Sequence, residues 1–321
     1  MSDFKKLRGI SIQSVSSNPV NAVDGDVWYV NNTNTNCVNL RLYSLFGSWT
    51  AGGAMGTARC QLAGAGTNTS ALAFGGFTTV AVACTESYNG STWTAGGALA
   101  TARYNLAGAG TNTAALAFGG RTTVNVACTE SYNGSTWTAG GALATARCGL
   151  AGAGTKTAAL AFGGVSTTTV ACTESYNGTS WTAGGALATA RFALAGAGTN
   201  TAALAFGGYI TGNVTCTESY NGSTWTVGGA MATARCRLAG AGTNTASLAF
   251  GGFGSTTGVA CTELYNGSTW TAGGAMGTAR SFLAGAGASN TAALAFGGVS
   301  TTTVACTESY GLIKSFSNFQ E

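Results

Sequence analysis

The chain of 321 residues contains no histidine and one proline, and only 7% of its residues are charged. Without histidine, and without any Cys-x-x-Cys pair, the usual ligands of a zinc site are missing, so we expect no metal and no other cofactor. The net charge of +4 is mild, and the few basic residues outside the repeat described below are scattered, which predicts no nucleic-acid binding.

Long apolar runs are also missing. No run approaches the ~20 residues that cross a bilayer, so we expect no membrane insertion. The segment from Met1 to Val15 lacks the apolar region of a signal peptide. Low charge combined with abundant Thr, Val, Ala and aromatic residues predicts closely packed β-sheet and not disorder.

A sequence motif that ends in Phe-Gly-Gly occurs six times, at intervals of 44 to 46 residues. Each copy is followed by Cys-Thr-Glu-x-Tyr, and all but the last then reach a Trp. A fixed period of this size indicates a repeat architecture with room for four short strands per copy. The paired glycines are Gly75-Gly76, Gly119-Gly120, Gly163-Gly164, Gly207-Gly208, Gly251-Gly252 and Gly297-Gly298.

In the first copy the predicted strands are residues 62–66, 71–74, 80–88 and 92–94, with Asn89-Gly90 as a hairpin turn. The first two strands are almost entirely Ala, Gly and Leu, whereas the last two carry Tyr and Trp. Inner strands converge and outer strands diverge in a radial array of sheets, so this gradient of residue size predicts a propeller.

The last copy ends at Tyr310 without a Trp, and a Trp stands before the first copy, at Trp49. We therefore expect the strand at Trp49 to complete the last blade and close the ring. Residues 38–44 compete for the third-strand place, because Leu42-Tyr43 resembles Leu264-Tyr265; Arg41, where the repeats have Glu, favours the C-terminal copy.

The predicted fold is all-β: a six-bladed β-propeller over residues 46–310, preceded by an N-terminal segment, 1–45, and followed by a C-terminal tail, 311–321. Residues 27–30 and 38–45 of the first segment read as a β-hairpin. A hairpin alone is not stable, so we expect residues 1–45 to attach the propeller to a partner protein or to its own copies.

Six of the ten cysteines hold one equivalent position of the repeat. Neighbouring sheets lie ~10 Å apart, whereas a disulfide needs Cα atoms within ~7 Å. We therefore expect small buried thiols, which suit folding in a reducing cytosol. These six are Cys84, Cys128, Cys172, Cys216, Cys261 and Cys306.

The Gly-Gly, Glu-x-Tyr and Trp phrases, for example Gly75-Gly76, Glu86 and Trp93, resemble the kelch repeat of β-propellers over residues 46–310. Tyr88 and Trp93 lie closer together than is usual in that repeat, and the period is shorter. The kelch-type oxidases use His and a Tyr-Cys pair on copper, so the absence of His excludes that activity from what the resemblance implies.

The opening of the chain is similar to the N-termini of marine bacteriophage tail and fibre proteins. The similarity lies in Phe4 to Gly9, in Asn18-Pro19-Val20 and in Gly25 to Tyr29. Several such proteins continue into Ala-Gly-Gly and Thr-Ala-Arg repeats like these. The resemblance implies a virion structural protein of tail-fibre or appendage type, assembled in the host cytoplasm, with other virion proteins as partners and a homo-oligomer, by analogy a trimer.

Each copy carries one Glu and one Arg, for example Glu86 and Arg59. A glycosidase needs two positioned carboxylates, and a ring of six Glu is one possible source. A charge that recurs in every repeat more often meets a structural need, and buried charges require partners. We therefore expect structural ion pairs and no catalytic residues.

The copies differ at two places that an up-and-down blade puts on one face: the position after the repeat Arg, and the position after Gly-Gly. The turns expected on the opposite face are nearly constant, with Lys156 as one of few changes. Aromatic residues suit stacking on sugars, and polar ones suit hydrogen bonding to hydroxyls. The candidate ligand-binding residues are Gln61, Phe77, Tyr104, Asn105, Arg121, Phe192, Tyr209, Arg237, Phe253 and Phe282.

Three functions are compatible with these patterns. The first is a non-enzymatic phage tail fibre or appendage that recognises a host-surface glycan or receptor through the variable face. The second is a cellular kelch-type interaction scaffold, and the third is a polysaccharide-degrading enzyme. The phage-like opening favours the first, and the lack of a unique carboxylate constellation disfavours the third.

Overall fold

The computed structural model describes residues 13–15, 27–32 and 37–319, and side chains between residues 46 and 313. The predictions that concern residues 1–12, 16–26, 33–36 and 320–321 lie outside the described residues. The described part of the chain divides into two compact units: one is Ser48–Gly311, and the other contains the described residues before and after it.

The smaller unit contains the N-terminal strands β1 (Gln13–Val15), β2 (Val27–Asn32) and the first part of β3 (Cys37–Gly52). Strand β1 pairs in parallel with β2, and β2 pairs antiparallel with β3, with Val27 opposite Leu42 and Asn32 opposite Cys37. The last strand of the chain, β26, also continues into this unit, beyond Gly311.

The larger unit is a six-bladed β-propeller, as predicted: six four-stranded antiparallel blades form a ring, and no helix occurs in the described residues. Blade 1 is β4 (Ala63–Gly66), β5 (Ala71–Phe74), β6 (Thr85–Tyr88) and β7 (Trp93–Gly96). Blade 2 is β8 (Ala107–Gly110), β9 (Ala115–Phe118), β10 (Thr129–Tyr132) and β11 (Trp137–Gly140). Blade 3 is β12 (Ala151–Gly154), β13 (Ala159–Phe162), β14 (Thr173–Tyr176) and β15 (Trp181–Gly184).

The remaining blades follow the same order of strands. Blade 4 is β16 (Ala195–Gly198), β17 (Ala203–Phe206), β18 (Thr217–Tyr220) and β19 (Trp225–Val227). Blade 5 is β20 (Ala239–Gly242), β21 (Ser247–Phe250), β22 (Thr262–Tyr265) and β23 (Trp270–Gly273). Blade 6 is β24 (Ala284–Ser289), β25 (Ala292–Phe296), the start of β26 (Thr307–Phe319) and the end of β3.

Blade 6 confirms the predicted closure of the ring. Strand β3 lies beside β26 in the sheet, and the Thr50 hydroxyl donates a hydrogen bond of 3.2 Å to the Ser309 carbonyl. The C-terminal copy, and not residues 38–44, supplies the third strand, since Glu308 pairs with Ala295 of β25. The first strands of the six blades contact one another in sequence around the axis, with β24 against β4.

The predicted third strand of each copy was too long. In blade 1 the strand begins at Thr85, because the chain from Gly76 to Val82 forms a tight bend instead. Phe77 bridges back to Ala81, and the Val82 amide donates to the Gly76 carbonyl at 2.9 Å. The bend satisfies these backbone groups locally, so the alternation of apolar residues there does not indicate an extended strand.

The core consists of six equivalent clusters, each between two neighbouring blades. Between blades 2 and 3, the Phe118 and Trp181 rings lie 4.9 Å apart, and the Trp181 indole donates to Thr129 Oγ1 at 3.0 Å. The Phe118 ring also fills the space over Gly152, where a Cβ would lie 2.6 Å from it. Large rings therefore require small residues on the adjoining inner strand, which explains the size gradient of the sequence.

Candidate functional site

The repeated Glu and Arg are structural ion pairs, as predicted. In blade 5, Arg235 is fully buried and its Nη2 lies 3.2 Å from Glu263 Oε1. Glu263 also accepts hydrogen bonds from the backbone amides of Ala232 and Thr233, at 2.7 and 3.3 Å. Burial lowers the pKa of Arg235, whereas Glu263 acts to raise it. Each Glu therefore tethers the connection that leads into its own blade.

The variable positions lie on one face of the ring, which we name the variable mouth; it comprises the residues that follow each repeat Arg and those that follow each Gly-Gly pair. Backbone hydrogen bonds join the two groups within each blade. Phe192 and Tyr209, for example, exchange amide-to-carbonyl bonds of 3.1 and 2.8 Å. The opposite face, here the constant face, carries the two conserved turns, which adjoin each other at Gly90 and Thr69.

The residues two positions after each repeat Arg form a ring around the propeller axis. The backbone amide of each donates to the carbonyl of its counterpart in the preceding blade, at distances of 2.7 to 2.9 Å, and the sixth bond closes the circle. The positions are Gln61, Asn105, Gly149, Ala193, Arg237 and Phe282. We name this set the axial ring.

Every residue of the axial ring has a left-handed backbone, with φ between 51° and 60°. Glycine and asparagine adopt this region most readily, and Gly149 and Asn105 are the two that fit. Gln61, Arg237 and Phe282 occupy it at a cost of about 1–2 kcal/mol each. Strain of this kind is typical of functional sites, where particular side chains are needed despite their backbone preference.

The axial ring was not predicted from the sequence. A signal was present, since Asn and Gly each occur once among its six positions, but Gln, Ala, Arg and Phe at the others conceal it. A ring that closes only through hydrogen bonds between six blades has no signature in any single copy.

The structure separates the ten candidate residues into two groups on the variable mouth. Four belong to the axial ring: Gln61, Asn105, Arg237 and Phe282. Six lie further from the axis, on the bridged loops: Phe77, Tyr104, Arg121, Phe192, Tyr209 and Phe253.

Several candidate side chains contact one another. The Phe77 and Tyr104 rings meet edge to face at 5.1 Å across blades 1 and 2. The Phe192 and Tyr209 rings lie 5.4 Å apart within blade 4. The Arg237 guanidinium lies over two rings, 4.4 Å from the centroid of Phe282 and 5.3 Å from that of Phe253.

The cavities on the axis are small. One, of about 100 Å³, is lined by the axial ring and the six leucines that follow it, and another, of about 120 Å³, is lined by the Leu-Ala-Gly phrases of the inner strands. Each has room for only a few water molecules. The axis is therefore too narrow to admit a sugar ring.

A much larger cavity opens off the axis, between blades 4 and 5, with a volume of about 790 Å³. This volume lies within the range of small-molecule sites. Its walls include four of the candidate residues: Phe192, Tyr209, Arg237 and Phe253. Three further polar residues, which were not predicted, also line it: Asn213, Cys236 and Ser255.

Asn213 holds the wall of this cavity in place. Its side-chain amide in blade 4 donates to the carbonyls of Phe253 and Gly254 in blade 5, at 2.9 and 2.6 Å. Asn125 makes the equivalent pair of bonds from blade 2 to blade 3. These asparagines fix one loop against the next, so Asn213 is a positioning residue and its amide protons are already used.

Nine cysteines are free in the described structure, including the six of the repeat, which are half-buried and not fully buried as predicted. Three others, Cys60, Cys148 and Cys236, lie on the variable mouth, and burial raises the pKa of each of these thiols. Thiolate is the reactive form, so burial makes the Cys236 thiol in the cavity wall less reactive.

No protein-family model matches this chain, and no curated protein matches it in sequence. Its class is therefore defined by the fold, a six-bladed β-propeller. Within the described ranges, no group of three or more His, Cys, Asp or Glu is arranged to hold a metal ion. The same residues contain no helix long and apolar enough to cross a membrane.

Proposed function

We propose that the protein is a non-enzymatic recognition protein of a bacteriophage virion, a tail fibre or appendage, whose variable mouth binds a glycan on the host surface. The observation that carries the proposal is the concentration of sequence differences, strained backbone and half-buried aromatic rings on one face. The turns of the opposite face are nearly constant in blades 1 to 5.

Drift in tolerant loops is a poor explanation of the axial ring. Tolerant positions would be expected to relax toward residues that fit the left-handed backbone, yet Arg237 and Phe282 do not fit it. Their side chains also contact each other over the mouth. Side chains retained against a backbone cost support a role in recognition.

The geometry of the carboxylates supports a non-enzymatic role. Between residues 46 and 313 the sequence has six acidic residues, all of them the repeat glutamates. Each is buried and paired with an Arg. The two-carboxylate mechanism of glycoside hydrolysis needs carboxylates free to act on the substrate, and this face of the propeller offers none.

The place in a virion is inferred from the N-terminal resemblance to marine phage tail and fibre proteins. In this proposal residues 1–45 join the propeller to other virion proteins or to its own copies, with a trimer as the expected oligomer. Several copies of the variable mouth on one particle can bind at the same time. Each bound copy raises the effective concentration of the others, so the particle binds tightly even when a single propeller binds weakly.

The proposal is tested by comparing paired aromatic substitutions in two sectors of the mouth. We expect Phe192→Ala with Tyr209→Ala to reduce binding of the full-length protein to susceptible bacterial cells and to arrayed glycans by tenfold or more. The reason is that two ring contacts in the cavity between blades 4 and 5 are lost. The same measurement on Phe77→Ala with Tyr104→Ala, a pair at similar spacing outside that cavity, reports how much another sector of the mouth contributes to binding.

A change on the constant face completes the test. Asn89 caps its turn by accepting hydrogen bonds from the Ser91 and Thr92 amides, so Asn89→Ala should lower thermal stability and leave binding intact. If both mouth variants bind normally and constant-face variants lose binding, the recognition surface lies on the other face and the proposal is wrong.

A further inference from the structure

We propose that the cavity between blades 4 and 5 binds an acidic saccharide, whose anionic group pairs with Arg237 while Phe192, Tyr209 and Phe253 contact its ring. The inference rests on the proposed recognition function and goes beyond it, because it names the sector of the mouth and the chemical class of the ligand.

The first argument is the balance of charge in the propeller. Its six glutamates are neutralised by the six repeat arginines in buried pairs. Three basic residues between 46 and 313 are left without such a partner: Arg121, Lys156 and Arg237. Two of them, Arg121 and Arg237, lie on the variable mouth, so the uncompensated charge of this face is positive and favours an anion.

The second argument is that Arg237 is held in position. Its backbone amide donates to Ala193 at 2.8 Å, and its carbonyl accepts from Phe282 at 2.9 Å. Its guanidinium lies 4.4 Å from the Phe282 centroid and 5.3 Å from that of Phe253. Rings at these distances orient the guanidinium without occupying its hydrogen-bond donors, and a pre-positioned group loses less entropy when it binds.

The third argument is the place of Arg237 between the cavities. It lines both the small axial cavity and the large one between blades 4 and 5. Among the described residues it forms no ion pair, so the five donors of its guanidinium are available to a ligand. A planar guanidinium matches a carboxylate, sulfate or phosphate group through two parallel hydrogen bonds.

The walls of the cavity suit the rest of a sugar. Phe192, Tyr209 and Phe253 present apolar rings, and Ser255 adds a hydroxyl at the rim. Asn213 fixes the loop that carries Phe253. Aromatic faces, one cation and one hydroxyl together fit a ring with an apolar face and an acidic substituent, and a neutral saccharide would leave Arg237 without its partner.

The test measures binding of the full-length protein to arrayed hexasaccharides of three kinds. These are an oligogalacturonate, a sulfated galactan oligosaccharide and a neutral galactan oligosaccharide of the same length. We expect at least one acidic hexamer to bind and the neutral one to bind at least about tenfold more weakly. The two acidic probes distinguish a carboxylate from a sulfate as the recognised group.

The decisive variant is Arg237→Gln, which should weaken binding of the acidic hexasaccharide by about tenfold or more. Gln61 occupies the equivalent position of blade 1 with nearly the same backbone, φ 55° against 56°, so the substitution fits the fold. Arg237→Lys, which keeps the charge and loses the planar fork, should give an intermediate loss. The charge-matched control is Lys156→Asn on the constant face, which introduces the residue found at the same position of other copies and should change binding by less than about twofold.

Two results would overturn the inference alone. One is equal binding of neutral and acidic hexamers, lost in the Phe192→Ala, Tyr209→Ala double variant and unchanged in Arg237→Gln, which leaves glycan recognition standing. The other is acidic binding that falls equally in Arg237→Gln and Lys156→Asn, which indicates diffuse electrostatic attraction. Binding of none of the hexamers, combined with normal cell attachment by the double variant, would overturn both the inference and the proposed function.

Discussion

The buried ion pairs and the axial ring both occur six times, but the ion pairs keep the same residues in every blade whereas the axial ring has a different residue in each. Every blade uses Glu and Arg for the ion pair, because the same buried backbone amides and carbonyls must be satisfied in each. The axial ring keeps one backbone geometry and changes the residue each time. The ion pairs therefore constrain residue identity, whereas the axial ring constrains the backbone alone.

The largest expected effect comes from breaking one ion pair. Glu263→Ala leaves Arg235 buried without a counter-charge and frees two backbone amides of the connecting loop. We expect a loss of about 3–5 kcal/mol in the free energy of unfolding. Thermal and denaturant unfolding measure it, with Lys156→Asn as the control on an accessible charge. A loss below about 1 kcal/mol would show that residue identity at the buried ion pair matters no more for stability than residue identity at the mouth.

A smaller effect is expected from adding one methyl group between blades. In Gly108→Ala the new Cβ would lie 2.5 Å from the Phe74 ring and 2.8 Å from the Gly64 carbonyl, so the blades must separate slightly. Overpacking of this kind costs about 1–3 kcal/mol. The matched control is Gly212→Ala on the variable mouth, where a Cβ meets no atom within 4 Å. Equal melting temperatures for the two variants would contradict the packing argument.

The smallest effect tests the strain in the axial ring. Gly149 has φ 60°, and a Cβ there would make only ordinary contacts, at 3.5 Å or more from its neighbours. Gly149→Ala therefore isolates the backbone cost and should lower the free energy of unfolding by about 1 kcal/mol. The reverse change in the next blade, Ala193→Gly, should raise it by a few tenths of a kcal/mol, because glycine also loses more entropy on folding.

Ala183→Gly provides the control for that pair. Ala183 lies in the ordinary strand β15, so its replacement should lower stability by about 0.5–1 kcal/mol. Opposite signs for the two Ala-to-Gly changes would confirm the strain, and the same sign would argue that the axial ring carries none.

The fold was largely predictable because short sequence motifs recur in the same order in every copy of the repeat. Asn89-Gly90 specifies a hairpin, and the missing Trp after Tyr310 with Trp49 in front specifies the closing strand. The end of the second strand was also correct at Phe74. The start of the third strand was wrong, since Phe77 and Ala81 bridge across a bend whose hydrogen bonds no residue pattern in the sequence marks.

The sequence predicted which face of the propeller carries the candidate site, but not where on that face the site lies. Comparison of the copies located Arg237 and Phe253 among the variable residues, because both positions follow fixed landmarks. It did not show that they stack, that Asn213 crosses to the next blade, or that a cavity opens between blades 4 and 5. Asn213 and Phe253 are 40 positions apart and meet only when two blades pack, whereas Arg237 and Phe253 meet through the folding of one blade.

The sequence by itself determined the number of blades, the order of their strands and the residues of the interior, because each of these follows from short-range patterns that recur at a fixed period. Only the tertiary structure decided the axial ring, the position of Arg237 over two aromatic rings and the cavity beside it. The physical reason is that hydrogen bonds and ring contacts between blades depend on distances across the closed ring, and a linear pattern contains the residues but not those distances.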